Sequence, residues 1–318
     1  MLLQLRVTVP PDRTARVREL FEEDPGTAHL ALLPGASVSP PGDLVLADVA
    51  RESVDALVAA LRELDVHRDG AIAITGIDAA VSGAARRAEE RAPGDAADAV
   101  VWDEVVRTTD ADSALSVSYL AFLTIAVLLA SIAIINDSAI LTIGAMVLGP
   151  EFLPLAALAV AIVQGRAAGA RRAGVTLVVG FVVAIGLTAA LSLAGRALGW
   201  FGRDVLGAGH PQTGFITAPD KWSLVVAVLA GIAGVLSLTS AKSGALVGVF
   251  ISVTTVPAAG EMALALALGG GPEFVRAATQ LGINLAGITV AATVTLAVQR
   301  AVWRRVRAVS PRVGAGRR

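Results

Sequence analysis

Between Ser131 and Ile162 the chain reads SIAIINDSAILTIGAMVLGPEFLPLAALAVAI, apolar enough for lipid yet interrupted by Gly144, Gly149, Pro150, Glu151 and Pro154. Gly149 and Pro150 weaken a helix, and Pro154 removes a second backbone donor one turn later. A membrane helix tolerates such a break only where protein or a water-filled cavity satisfies the freed carbonyls. Glu151 lies between the two prolines, and a carboxylate inside a membrane segment points to function.

A second stretch, GALVGVFISVTTVPAAGEMALALAL (Gly244–Leu268), has the same character, with Pro257 in its middle and its own acid, Glu261. At a shift of 104 positions Gly144 meets Gly248, Ala159 meets Ala263, Gly165 meets Gly269 and Arg172 meets Arg276. The two acids do not coincide under that shift. The expectation is a repeat of architecture more than of chemistry.

Hydrophobic residues make up 55% of the chain and mean hydropathy is +0.70, beyond the range of a soluble domain. The net charge of −1 hides a split. Residues 1–113 hold 21 acids against 11 bases, and the remainder 6 against 15. An acidic soluble module followed by a membrane module with basic edges is expected, and that basic excess reads as topology and lipid headgroup contact rather than nucleic-acid binding. With no cysteine, disulfides, thiol nucleophiles and cysteine-ligated metals are excluded.

In chain order, Leu2–Val9 alternates as a strand and Asp12–Phe21 as a short helix, with Asp12 its expected cap. His29–Leu33 and Leu44–Val49 are two short strands separated by a turn-rich segment. Glu52–Leu64 is an amphipathic helix and Ala71–Ile77 a last strand. The order βαββαβ is that of a ferredoxin-like α+β domain over residues 1–82. Residues 83–113 form a helical linker, partly interfacial, in which Trp102 stands beside acids. His29 and His67 are isolated and read as ordinary surface or half-buried residues.

Six apolar spans follow over residues 114–299: Ala114–Ile135, Ala139–Val163, Ala173–Ala194, Trp222–Ala241, Gly244–Leu268 and Ala277–Gln299. Residues 300–318 form a basic tail. With the N-terminus inside, Arg166, Arg171, Arg172, Lys242 and the arginines of the tail fall on the inner side, as the positive-inside rule requires. The N-terminus MLLQLRVTVPPDR lacks the basic leader and apolar core of a signal peptide, so both termini are expected in the cytoplasm of an inner-membrane protein. Three spans per copy make the two copies inverted, the arrangement many secondary transporters use around a midplane site.

GAMVLGPEFLP and GVFISVTTVPAAG, with LGINLAGI downstream, resemble two motifs of a family of bacterial and archaeal membrane proteins catalogued as domain of unknown function 389. Gly144, Ala145, Met146, Pro150 and Pro154 match the first motif; Gly248, Val249, Ile251, Pro257 and Asn284 match the second. The resemblance covers about 100–296. Ala258 departs from it where a second proline is usual, as do Glu151 and Glu261 where apolar or small residues are expected. The family implies a membrane protein and no activity.

The expected path is lined by Glu151, Pro150, Pro154, Pro257 and the pair Thr254–Thr255, with Glu261 and Asn284 as further candidates. Glu151 either binds a cation or proton, holds the break open as a proton-sensitive gate, or is an acid near one bilayer face or hydrogen-bonded to backbone freed by the prolines. Glu261 equally suits an interfacial position, and Asn284 suits interhelical bonding. The first functional expectation is a transporter or channel for a small solute or ion, homo-oligomeric, with no cofactor and no metal. The alternative is a scaffold or sensor whose N-terminal domain binds a ligand or partner. An enzyme comes third, for want of a nucleophile–base pair or metal cluster.

Overall fold

The computed structural model describes residues 1–96, 99–207, 213, 221–240 and 247–309; of residues 112, 247–254, 304 and 306–309 only the backbone is described. The chain divides into two compact units. Met1–Val105 makes up most of the first, which Arg300 joins; Val106–Leu238 and Ser243–Gln299 form the second.

The first unit begins with β1 (Leu2–Val9), α1 (Thr14–Glu23), β2 (Thr27–Val38), β3 (Pro41–Ala50) and α2 (Arg51–Glu63). A short α3 (Val66–Asp69), β4 (Ala71–Gly76) and α4 (Gly83–Arg91) follow. The strands form one antiparallel sheet in the order β2-β3-β1-β4. Alternate residues Leu3, Leu5, Val7 and Val9 of β1 are buried against Val17 and Phe21 of α1 and Val54, Leu57 and Leu61 of α2.

Two local expectations change. The segment PGASVSPPGD is mostly strand, because β2 and β3 extend into a long hairpin, with Ser37 paired to Gly42 and Val38 to Pro41. Asp12 does not cap α1: Arg13 occupies the cap position with no side-chain cap bond, and Asp12 is exposed. The start of α5 (Trp102–Asp112) belongs to this unit. Val101 is in its core, the buried Arg51 bonds the Ala99 carbonyl at 2.9 Å and Glu104 at 3.1 Å, and Arg62 pairs with Asp103. The acids around Trp102 are thus spent on ion pairs within the unit.

The second unit is helical: α6 (Val117–Ile135), α7 (Ala139–Leu148), α8 (Phe152–Val163), α9 (Ala167–Ala197), α10 (Asp204–Gly207), α11 (Lys221–Thr239) up to Leu238, α12 (Val247–Leu268) and α13 (Gly271–Val309) up to Gln299. Among the described residues four helices are long and apolar enough to cross a membrane, or five if α7 and α8 are one span bent by 52°. The expected fifth span corresponds to α12, of which Thr255–Leu268 is a shorter apolar helix by the same test. Ile140, Val147, Val182 and Leu229 point outward, so the surface of this unit is apolar where a water-soluble helix carries charge. Within it, Leu123, Leu155, Phe181, Ala259, Ala263 and Ile288 share one core.

One spacing recurs through this unit. Helices α6 and α11 have 19 residues each and begin 104 positions apart, as do the starts of α9 and α13. Gly165 and Gly269 are both left-handed, at φ +70° and +76°. After each, the next N–H bonds the carbonyl five residues back at 2.8 Å, Arg166 to Ala161 and Gly270 to Ala265.

Candidate functional site

The break between α7 and α8 is built locally. Gly149 leaves the helix in extended conformation, as a residue before proline prefers, and Pro150 cannot donate back into α7. Glu151 then occupies the N-cap position of α8, and Pro154 lies in that helix's first turn, where its missing donor costs least. α12 differs from the expected second break, because it runs through Pro257 as one helix. A single proline removes a single backbone bond. No glycine precedes it, and buried Val256 packs with Ala130 and Ala145.

Glu151 makes no cap bond to its own helix. Its carboxylate is fully buried, and Oε1 accepts a 2.7 Å hydrogen bond from Thr255 Oγ1, itself fully buried. The two residues stand 104 positions apart, the interval that separates the helix starts. Tyr119, the one tyrosine of the chain, lies on α6 within electrostatic reach of Glu151. Its buried hydroxyl has no hydrogen-bond partner among the described residues. Gly180 of α9 makes room for that ring: a Cβ there meets Tyr119 Cε1 at 2.7 Å. Ser131 Oγ bonds the Gly260 carbonyl at 3.1 Å, linking α6 to α12.

The remaining expected residues divide. Pro154 and Pro257 are buried and Pro150 half-buried. Thr254 lies within α12, its side chain outside the described residues. Glu261 pairs instead with Arg276 at the start of α13, at 2.5 Å, so it has a charge partner that Glu151's hydroxyl contact does not provide. Asn284 and Gln280, both fully buried, meet through Gln280 Nε2 and Asn284 Oδ1 at 3.4 Å. The structure therefore joins Glu151 to Thr255 and gives Glu261 and Asn284 other partners.

Tyr119 and Gly180 were not legible as site residues, although a lone tyrosine in an apolar span is a signal. Two further contacts escaped the sequence. Asp137 turns left-handed at φ 44° and accepts from Thr213 N and Oγ1, each at 3.0 Å. In the first unit His29 touches Asp48 and Ser82, each at 3.0 Å, and so is more than an isolated surface residue.

A helical unit with several apolar, span-length helices around a buried carboxylate defines a chain compatible with a multi-pass membrane protein. Residues 146–290 match the model of the family described as Domain of unknown function (DUF389), the family that the two proline motifs resemble. The match starts at Met146 inside the first motif and takes in Glu151, Thr255, Pro257, Glu261 and Asn284. No curated protein and no solved structure matches the chain.

Proposed function

We propose that this chain is an inner-membrane transporter or channel for a small solute or ion, with Glu151 and Thr255 in its path. The observation that carries this reading is the fully buried Glu151 carboxylate held by Thr255 at a helix break inside an apolar unit. A carboxylate in that setting is costly to maintain, and such groups mark ion and proton pathways. Pro150, Pro154, Pro257 and Thr254 complete the proposed path, with Glu261 and Asn284 on its flanks. The reading assigns no catalytic step.

The membrane unit is read as six crossings in two inverted three-helix copies. Equal helix spacing, the two left-handed glycines and the Glu151–Thr255 bond between equivalent positions support that symmetry, since residues on a two-fold axis meet their own counterparts. The N-terminal unit is read as ferredoxin-like, supported by its β2-β3-β1-β4 order and the packing of α1 and α2 on β1. Both termini are read as cytoplasmic and the chain as a homo-oligomer. The aromatic residues Trp200 and Trp222, exposed where α9 ends and α11 begins, suit a membrane–water boundary.

Flux into proteoliposomes, followed with pH-sensitive and ion-sensitive dyes, tests the proposal. Wild-type flux that Glu151→Gln abolishes while the protein still assembles supports it. Absence of flux for protons, Na⁺, K⁺ and common anions counts against it. A sensor reading is favoured by one feature, a cleft of about 800 Å³ in the N-terminal unit lined by Asp78, Ser82, Arg86 and Glu89. It predicts normal behaviour of Glu151→Gln and loss of function on substituting the cleft residues.

A further inference from the structure

We infer that the membrane unit carries a specific site for an anionic phospholipid, in the cleft between the end of α5 and the first turns of α9. The inference rests on the membrane assignment and is independent of transport. The cleft has a volume of about 520 Å³ and is lined by Asp110, Ser113, Leu115, Arg171, Arg172 and Val175, among others. Positions 168, 171, 172, 175 and 176 lie on one face of α9 by helical spacing, so the cationic and apolar parts of the wall come from a single helix.

The charges favour an anion. Asp110 is the acid of the wall and is already engaged, bonded by Arg166 and 3.6 Å from Arg172. Two guanidiniums thus meet one carboxylate, and Arg171 in the cleft wall brings a third positive charge. The N-terminal end of the 31-residue α9 adds its partial positive charge to the same place.

The apolar part selects a lipid over a free anion. From Val175 an exposed stripe continues through Val178 and Val182, at 48%, 64% and 65% exposure. From Arg172 to Val182 the helix rises ~15 Å, about half a ~30 Å hydrocarbon core, the depth of one leaflet. A molecule that satisfies both parts has a phosphate at Arg171 and Arg172 and an acyl chain along the valines. Basic pockets beside membrane helices recognise anionic headgroups in this way.

The test uses the full chain in detergent, with native mass spectrometry and thermal unfolding against added phosphatidylglycerol, phosphatidylcholine or inorganic phosphate. Two guanidiniums at an anionic headgroup imply roughly tenfold or greater preference for phosphatidylglycerol over phosphatidylcholine. The double substitution Arg171→Gln/Arg172→Gln brings the two lipids to parity, whereas Arg171→Lys/Arg172→Lys keeps the preference and guards against a folding defect. Val178→Asn/Val182→Asn weakens retention of both lipids while leaving the charge intact. Equal binding of both lipids by wild type, preference surviving the glutamine substitutions, or inorganic phosphate matching phosphatidylglycerol in stabilisation would each overturn the inference.

Discussion

Glu151 gains its character from position more than from identity. The same carboxylate at an exposed helix start would be a common cap; here it is fully buried and bonded to a threonine on another helix. Thr255→Val removes that donor and leaves the carboxylate less satisfied, at a cost of about 1–2 kcal/mol, whereas Thr255→Ser keeps the hydroxyl and costs much less. Thermal unfolding in detergent distinguishes them, and equal stability of the two variants argues that the bond contributes nothing. Arg276→Ala leaves Glu261 buried without its charge partner. The loss exceeds that from the double change Arg276→Ala/Glu261→Gln, which removes the stranded charge as well.

Residues of the first unit also set its response to pH. Burial raises the Glu52 and Asp24 carboxyls above their ordinary range, while hydrogen bonds from Gly35 N–H and the Thr14 hydroxyl lower Asp43. A raised carboxyl favours the folded state below its unfolded value and loses that contribution as pH rises through the folded value. Asp43 acts in the opposite sense, stabilising above its unfolded value and losing this as pH falls. Glu52→Gln is therefore expected to flatten the fall in stability as pH rises above the ordinary carboxylate range, read by urea unfolding at several pH values. An unchanged slope would mean that Glu52 does not carry it.

At the scale of elements, close approach governs how the membrane helices meet. A Cβ on Gly260 of α12 falls 2.9 Å from Ala130 Cβ and 3.0 Å from the Ser131 backbone nitrogen, so Gly260→Ala must push α12 away from α6. The displacement costs about 1–3 kcal/mol and weakens the Ser131–Gly260 bond. Gly186 has open space around its added Cβ, so Gly186→Ala is neutral or stabilising by up to about 1 kcal/mol. Similar melting temperatures for these two variants would remove the argument for a tight α6–α12 contact. The contrast between the two proline segments belongs here too. Gly149 and Pro150 together open a 52° bend, whereas Pro257 sits in a helix whose packing carries it through.

For the whole molecule, the lack of cysteine allows direct mapping by single introduced cysteines. Under the proposed topology, cysteines at Ser37 and Arg305 react with an impermeant reagent from one side of the membrane, and one at Trp200 from the other. Labelling of Ser37 and Trp200 positions from the same side refutes that arrangement.

The sequence alone determined the division into an acidic α/β module and apolar helices, because burial periodicity and charge are properties of local stretches. It determined the break at Gly149–Pro150 as well, since the constraint lies in the covalent ring and its neighbour. Strand ends were less legible: the turn-forming residues of PGASVSPPGD were overridden by pairing across the β2–β3 hairpin. Which polar groups meet was decided by tertiary structure. Thr255 reaches Glu151, Tyr119 lies near it in space left by Gly180, and Glu261 takes Arg276. The reason is physical: hydrophobic spacing fixes which segments become helices, but the partner of a buried charge depends on how those helices rotate and cross, which packing alone selects.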